Sequence, residues 1–256
     1  MKTLQFPVTL PIGSTHLPLH ALTETLGMFI GFRFFLLLKK RQGDAVTPSN
    51  RIWAIIGAIF GALFGSRLLG ALENPPELAS AHNILLYVYA SKTIVGGLLG
   101  GLAGVELTKK LIKETRSTGD LFVYPLILAM MIGRIGCFSM GVYEETYGLP
   151  TTQPWGMYLG DQYLRHPVAL YEILFLGLLW ISLALLDRKV VLVQGARFKL
   201  FMVAYLLFRF LLDFIKPGYR FSIGIGSIQI ACLLGLLYYL PDFIIPGRLI
   251  EKRHYA

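Results

Sequence analysis

The sequence predicts an all-α polytopic membrane protein with seven transmembrane helices in a single domain over residues 1–256. Composition is the first reason, since 55% of the 256 residues are hydrophobic, only 15% are charged, and the mean hydropathy is +0.60. Soluble globular domains carry about 25% charged residues. The second reason is that the apolar residues form runs of roughly 20, the length that crosses the hydrocarbon core of a bilayer as a helix.

Seven apolar runs follow one another along the chain without a visible repeat. The segment before them has one lysine and interior prolines, so it lacks the build of a cleavable signal peptide and is expected at the membrane surface. Breaker residues such as Asn74-Pro75-Pro76 and Lys216-Pro217-Gly218 separate the runs. The predicted spans are residues 20–38, 52–71, 84–108, 121–141, 168–186, 200–215 and 225–245.

Lysine and arginine set the expected orientation of these spans. They concentrate in the loops after spans one, three and five and in the C-terminal tail, whereas loop 72–82 carries only the acidic charges of Glu73 and Glu77. The positive-inside rule therefore places the N-terminus outside, the C-terminus inside, and the loop between helices four and five, residues 142–167, on the extracytoplasmic side. The same distribution accounts for the net charge of +9, so no nucleic-acid partner is predicted.

Spans one and three carry polar or small residues at helical spacing. His20 and Glu24 share one face of span one, and either a local hydrogen bond or a role in a site explains them. In span three, Gly96, Gly100 and Gly104 predict a groove that lets another helix approach closely. Lys92 lies at the outer mouth of that groove, where it either contacts a lipid headgroup or extends to the interface.

Charges inside spans four and six are the main functional signal, because charge at bilayer depth is costly and usually has a task. Arg134 lies in span four, and Tyr205, Arg209 and Asp213 project from one face of span six at i, i+4 and i+8. Arginine's planar fork matches phosphate oxygens, so both arginines are candidates for binding a phosphate. A structural ion pair between Arg209 and Asp213 is the alternative.

The two cysteines, Cys137 and Cys232, fall within predicted spans, where a thiol is usually a small inert hydrophobe. Neither a disulfide framework nor a metal cluster is indicated by their spacing. No nucleotide-binding loop is present either. The sequence therefore predicts no cofactor and no metal.

A resemblance to a known family connects these residues. The prolipoprotein diacylglyceryl transferase family has the signature G-R-x-G-N-F-x-N-G-E-x-x-G with a downstream R-H-P-x-Q-L-Y-E. This chain is similar at Gly133-Arg134-Ile135-Gly136-Cys137-Phe138, at Gly148 and at Arg165-His166-Pro167 with Leu170-Tyr171-Glu172. Tyr205, Arg209 and Asp213 resemble the family's Y-x-x-x-R-x-x-x-E, Gln229 its S-x-G-Q, and Gly96-Gly97 its H-G-G-L.

Several positions depart from the family pattern. Val95 stands where the family has a histidine, Cys137 and Met140 where it has asparagines, and Val142 where it has a glutamate, although Glu144 and Glu145 are near. Glu24 aligns with a usual tyrosine. The chain is therefore similar to a divergent member of the family, with a rearranged proton-transfer route or a different acceptor.

The resemblance implies an enzyme of the bacterial cytoplasmic (inner) membrane. Such enzymes transfer a diacylglyceryl group from phosphatidylglycerol to the lipobox cysteine thiol of a lipoprotein precursor and release glycerol 1-phosphate. Candidates for the base that takes the thiol proton are His166, Glu144, Glu145 and Glu24, and for His166 a structural capping role is equally open. The catalytic residues proposed on this basis are Arg134, Arg209, His166, Glu144 and Tyr205. Those proposed to bind substrate are Arg134, Arg209, Lys92, Glu24, Gly96, Gly97, Cys137, Gly148, Tyr171, Glu172, Asp213 and Gln229.

Two alternatives remain at the level of sequence. A related phospholipid-dependent transferase or hydrolase with another acceptor is favoured by Val95, Cys137 and Val142. A non-catalytic lipid-binding or transport paralogue rests on the intramembrane charge alone.

Overall fold

The computed structural model describes residues 5–13, 15–245 and 249–250. The basic residues of the C-terminal tail, Arg248, Lys252 and Arg253, lie outside the described residues, as does Lys2. The strands are β1 (Thr9–Ile12), β2 (Thr15–Pro18), β3 (Met157–Tyr158) and β4 (Leu164–Arg165). The helices are α1 (Leu19–Gln42), α2 (Pro48–Ala71), α3 (Pro75–Ser80), α4 (Ile84–Ala90), α5 (Ile94–Leu111), α6 (Val123–Met140), α7 (Val168–Lys189), α8 (Ala196–Leu212) and α9 (Ser227–Ile244).

The predicted all-α class is confirmed, and the strands of the described residues pair as two short antiparallel hairpins. By length and composition, five helical segments of the described chain are able to cross a membrane: α1, α2, α6 with its flanking 3-10 turns, α7 and α9. The pair α4 and α5 makes a sixth if it counts as one bent span. Helix α8, at the sixth predicted span, has 17 residues and is therefore about 26 Å long, shorter than a typical hydrocarbon core.

The third predicted span, 84–108, is divided into two helices instead of forming one continuous helix. Helices α4 and α5 meet at a bend of 92°. Each has its own N-cap, because the side chain of Asn83 accepts from Leu86 N at 3.0 Å and that of Thr93 accepts from Gly96 N at 3.1 Å. Capping residues favour starting a new helix, and hydropathy alone does not register them.

The chain divides into two compact units, and the first comprises residues 1–43, 121–190 and 215–217. It contains α1, α6, α7 and both hairpins. Helix α1 lies close to α6 because its contact face has glycines: a Cβ at Gly27 would lie 2.8 Å from the carbonyl oxygen of Ala129. Beyond α6, residues 141–167 form a loop that carries the β3–β4 hairpin and leads into α7.

The second unit comprises residues 44–120, 191–214 and 218–256 and contains α2 to α5, α8 and α9. Helices α2 and α5 pack through facing glycines. A Cβ at Gly61 would lie 2.2 Å from the carbonyl oxygen of Gly100, and one at Gly65 would lie 2.4 Å from that of Gly96. The groove predicted from the glycine spacing in span three is therefore confirmed, and α2 occupies it.

Candidate functional site

In the first unit, Arg134 is held inside the protein by a carboxylate of the neighbouring helix. The arginine is 8% exposed on α6, and its Nε lies 2.9 Å from Oε2 of Glu172 on α7, which is 1% exposed. Charges this deeply buried are stable only when they are paired. The pair therefore fixes the guanidinium in place and ties α6 to α7.

The same guanidinium also reaches a thiol. Nη1 of Arg134 donates a hydrogen bond to Sγ of Cys137, one helical turn further along α6, at 3.4 Å. Cys137 therefore does not lie in the apolar surroundings expected of a thiol in a membrane span.

A histidine and two glutamates complete the surroundings of Cys137. Nδ1 of His20 lies 3.4 Å from Oε2 of Glu144, and its Nε2 lies 3.4 Å from Oε2 of Glu24. One ligand-type atom each from His20, Cys137 and Glu144 lie within 4.8 Å of one another. The group combines the imidazole, thiol and carboxylate that metal sites and proton-transfer sites use.

Local backbone features bring this cluster together. Gly136 lets α1 approach α6, since a Cβ there would lie 2.1 Å from Oγ1 of Thr23 and 3.0 Å from Cα of His20. Gly141 ends α6 with a positive φ of 59°, after which a 3-10 turn delivers Glu144. The sequence indicated the His20–Glu24 pair, because i, i+4 neighbours share a face. It did not indicate that the pair meets Cys137 and Glu144, which belong to other elements.

His166 and Tyr171 join the loop to the start of α7. Nδ1 of His166 and the Tyr171 hydroxyl are hydrogen bonded at 3.1 Å, and the His166 backbone N–H donates to the Leu149 carbonyl at 3.1 Å. Gly148 packs so tightly on this histidine that a Cβ would lie 2.5 Å from the His166 Cβ. Through these contacts, His166, Tyr171 and Gly148 anchor the loop to the start of α7.

Arg165 braces the same loop from the other side. Its Nε donates to Oδ2 of Asp161 at 2.8 Å and its Nη1 donates to the Gly148 carbonyl at 3.2 Å. The hydrogen bond from the Arg165 guanidinium holds the pKa of the Asp161 carboxyl below its ordinary value. A small pocket lies alongside this region, with Cys137, Tyr147 and Ala169 among its lining residues.

In the second unit, the predicted polar face of α8 is largely internal. Tyr205 is fully buried and stacks with Phe201, and Arg209 is 6% exposed. Asp213 lies at the C-terminal end of α8, where the helix passes into a 3-10 turn, and is partly exposed. The buried Arg209 guanidinium thus lies one helical turn before the Asp213 carboxylate, as the i, i+4 spacing predicted.

Gln229 uses both ends of its amide to hold the backbone of this unit. Its Oε1 accepts from Gly226 N–H at 2.9 Å, which caps α9, and its Nε2 donates to the Phe210 carbonyl on α8 at 3.3 Å. The predicted substrate-binding glutamine therefore positions the residue that follows Arg209.

The residues predicted near the glycine groove have different surroundings. Lys92 is exposed at the break between α4 and α5. The space beside Gly96 is occupied by α2, whereas a Cβ at Gly97 would have no neighbouring atom closer than 3.8 Å. Val95, at the position of the family's histidine, is fully buried.

Comparison with known proteins gives a consistent match along the chain. A family model described as prolipoprotein diacylglyceryl transferase matches residues 7–245. Similar proteins are each named phosphatidylglycerol–prolipoprotein diacylglyceryl transferase. The one from Wolbachia pipientis wMel is 29% identical over 95% of this chain and 93% of its own length, and that from Nitratidesulfovibrio vulgaris is 32% identical over 89% and 88%. The protein from Nitrosomonas europaea is 30% identical over 88% of this chain and 82% of its own length.

Proposed function

The chain belongs to the prolipoprotein diacylglyceryl transferase family, and from this membership we propose that it transfers a diacylglyceryl group from phosphatidylglycerol to the cysteine thiol of a lipoprotein precursor. Glycerol 1-phosphate is the second product. The structural observation that supports the proposal most is the buried Arg134, held by Glu172 beside the thiol of Cys137 and next to the anchored loop.

The reaction explains why arginines are needed. A bond between a glyceryl carbon and a phosphate oxygen breaks, so negative charge grows on the phosphate as it leaves. Preorganised donors in a water-poor site stabilise that charge strongly. Arg134 and Arg209 are each proposed as such donors, with Tyr205 and Asp213 orienting Arg209. Buried partners keep a guanidinium in position before the lipid arrives, which lowers the cost of reorganisation.

The remaining predicted residues receive supporting roles in this proposal. His166 and Glu144 are candidates for handling the proton of the acceptor thiol, and Tyr171 and Gly148 keep the loop folded against α7. Lys92 is proposed to contact a lipid headgroup, and Gly96, Gly97 and Gln229 shape the region around Arg209 and the groove. Glu24, Glu172 and Cys137 line the site.

The proposed setting is the bacterial cytoplasmic membrane, with the chain acting as one integral domain over residues 1–256. Seven spans with the N-terminus outside are proposed from the positive-inside distribution, with α4–α5 and α8 as the irregular ones. The acceptor is then a precursor with a lipobox cysteine at the outer face, where the loop 142–167 lies.

A second candidate is a related transferase or hydrolase that uses phosphatidylglycerol with another acceptor. It is favoured by Val95, which buries an apolar side chain at the family's histidine position. Purified protein is incubated with phosphatidylglycerol in the presence and absence of a lipobox peptide, and released glycerol phosphate is measured. Release that requires the peptide supports the transferase, and release that does not depend on it supports the second candidate.

Arginine variants test the proposed chemistry in the same assay. Arg134→Lys and Arg209→Lys keep a positive charge but lose the planar fork, and each is expected to lower turnover at least about tenfold, a loss of about 1.4 kcal/mol of transition-state stabilisation. Arg188→Lys, at an exposed position near the end of α7, is the matched control. Unchanged turnover in both test variants would remove the arginines from the mechanism.

A further inference from the structure

The side chains that meet at the end of α6 offer one nitrogen, one sulfur and one oxygen donor to a metal ion. We propose that His20, Cys137 and Glu144 bind one Zn²⁺ ion and leave its fourth position open to the acceptor thiol. Metal binding itself follows from this chain's side chains, whereas the role of the fourth position rests on the proposed function.

The donor set matches zinc. Imidazole nitrogen, thiolate sulfur and carboxylate oxygen are its three common protein ligands, and catalytic zinc sites use three protein ligands and an open fourth position. A softer thiolate together with imidazole argues against Mg²⁺ and Ca²⁺, which select oxygen ligands. The mixed set is therefore unlike an ordinary group of acidic residues.

The distances also fit. Zinc bonds of about 2.0 to 2.3 Å in a tetrahedron put ligand atoms roughly 3.3 to 3.8 Å apart. Nδ1 of His20 and Oε2 of Glu144 are 3.4 Å apart, and an atom of Cys137 completes a group within 4.8 Å. The three ligand atoms therefore already lie close to the spacing that one bound ion requires.

Neighbouring groups supply the support that metal ligands need. The other ring nitrogen of His20, Nε2, faces Oε2 of Glu24 at 3.4 Å, which is the carboxylate–histidine arrangement that orients a metal-binding imidazole. Among the described residues, neither ring nitrogen of His20 nor Oε2 of Glu144 makes a well-aligned hydrogen bond, although all three atoms are buried. Burying polar atoms without well-aligned hydrogen bonds costs folding free energy, and a cation bound between them offsets that cost.

A zinc ion at this site would promote loss of the proton from the acceptor thiol, a step for which Val95 offers no base. Where the family has a histidine, this chain buries an apolar side chain, and where the family has an asparagine it has Cys137. A coordinating thiol is deprotonated by the metal itself, so the acceptor cysteine needs no separate histidine base at position 95.

The step balances in atoms and charge. The acceptor thiol loses its proton to solvent as its sulfur coordinates zinc. The thiolate sulfur then attacks the glyceryl carbon of phosphatidylglycerol and forms the C–S bond. The C–O bond to the phosphate breaks, and its electron pair leaves on the phosphate oxygen of glycerol 1-phosphate. No oxidant or reductant is required.

Metal analysis of the purified full-length chain in detergent, freed of any histidine tag, tests the site directly. One zinc per chain is expected in the wild type. Cys137→Asn, which restores the family's residue, and His20→Ala are each expected to weaken zinc binding at least tenfold. Glu24→Gln is expected to weaken it 10- to 100-fold through the lost orientation of His20. Cys232→Ser, at the other free cysteine, is the control and keeps one zinc.

Cobalt substitution distinguishes the loss of one metal ligand from a general loss of folding. The Co²⁺-loaded wild type is expected to show a thiolate-to-metal absorption band that Cys137→Asn lacks and that intensifies when a lipobox peptide adds its thiolate. Zinc well below one per chain, or a cobalt spectrum unchanged by Cys137→Asn, would overturn the proposal.

Transfer assays distinguish failure of this site from failure of the proposed function. Full transfer to the peptide by chelator-treated, zinc-free protein would overturn the zinc proposal and leave the proposed function intact. Zinc binding at the three ligands without any transfer would instead contradict the proposed function and the role given to the fourth position, while the metal site would stand.

Discussion

Arg134 and Glu172 form a buried ion pair, and the chemical role proposed for Arg134 depends on it. Both groups are nearly inaccessible to solvent, and their closest atoms are 2.9 Å apart. Desolvating two charges is expensive, so such a pair adds little net stability, but removing one partner alone is costly. The carboxylate therefore keeps the guanidinium inside the protein, where the proposed function requires it to bind a phosphate.

Glu172→Gln tests this dependence. It removes the charge facing Arg134 while keeping the side-chain shape, and the expected cost is about 3 to 5 kcal/mol of unfolding free energy. A lower thermal midpoint in detergent measures it. Glu77→Gln, at an exposed position, is the control and should change the unfolding free energy by less than about 0.5 kcal/mol. Equal stability of the two variants would show that the pair is not a structural requirement.

Asp161 gives a pH-dependent prediction in loop 142–167. Because Arg165 lowers the pKa of Asp161 in the folded loop, the stabilisation is complete above the ordinary aspartate pKa of 3.8 and is lost as the pH falls through the lowered folded pKa. Asp161→Asn should therefore make loop 142–167 more sensitive to proteolysis near neutral pH. With an acid-active protease, the difference should shrink as the pH falls further below 3.8; a difference that stays constant with pH would refute the assignment.

The sequence identified most of these residues but not their contacts. Arg134, Glu172 and Glu24 stand out because charges are rare in apolar runs, and Glu144 stands out because it lies near the position of the family's glutamate. Helical spacing predicts only neighbours on the same helix, such as His20 and Glu24. The contacts of Cys137 with groups on α1 and after α6 depend on how helices pack, so the zinc ligand set has no recognisable spacing in the sequence.

At the scale of elements, glycines decide how closely helices approach. Helices α2 and α5 have backbone-to-backbone contact at Gly61 and Gly100, where a Cβ at Gly100 would lie 2.3 Å from the Gly61 carbonyl oxygen. Within a bilayer there is no hydrophobic effect between helices, so close packing of this kind carries the association.

Gly100→Ala is therefore expected to destabilise the protein by about 1 to 3 kcal/mol, since the added methyl forces the helices apart. Gly101→Ala is the matched control one residue along the same helix, where a Cβ would meet its nearest neighbour at an ordinary 3.5 Å. The control should be neutral or stabilising by up to about 1 kcal/mol because alanine favours helix. Thermal midpoints of both variants in one detergent give the comparison, and equal loss in the two would contradict it.

The break between α4 and α5 shows where reading by hydropathy fails. The run from 84 to 108 is apolar enough for one span, but Thr93 caps a new helix and its backbone N–H donates to the Ser66 carbonyl at 3.2 Å. Long-range hydrogen bonds of this kind leave no mark on a hydropathy profile.

For the whole molecule, the helical class and the order of the apolar elements were predictable because bilayer length and charge exclusion act on composition. The family match spans both compact units, so the resemblance is not limited to the motifs around Arg134 and His166. The number of full spans was not predictable, because α8 is short and α4–α5 is bent.

Orientation is testable by labelling introduced cysteines from outside intact cells. After both native cysteines are replaced by serine, Thr152→Cys should react with a membrane-impermeant maleimide, because loop 142–167 is proposed to lie outside. Lys110→Cys, in the last turn of α5, should react only after the cells are opened. Labelling of Lys110→Cys alone in intact cells would show the opposite orientation. Labelling of both variants in intact cells would refute the placement of the two positions on opposite sides.

The central claim is that this chain alkylates a lipobox cysteine with lipid. Its most direct test is mass spectrometry of a lipobox peptide after incubation with the purified wild-type protein and phosphatidylglycerol of defined acyl chains. The account predicts a peptide heavier by one diacylglyceryl group, attached at the cysteine, with glycerol phosphate released in equal amount and neither product formed from a peptide whose cysteine is replaced by serine. An unmodified peptide, in a reaction where a relative of the family modifies it, would contradict the account.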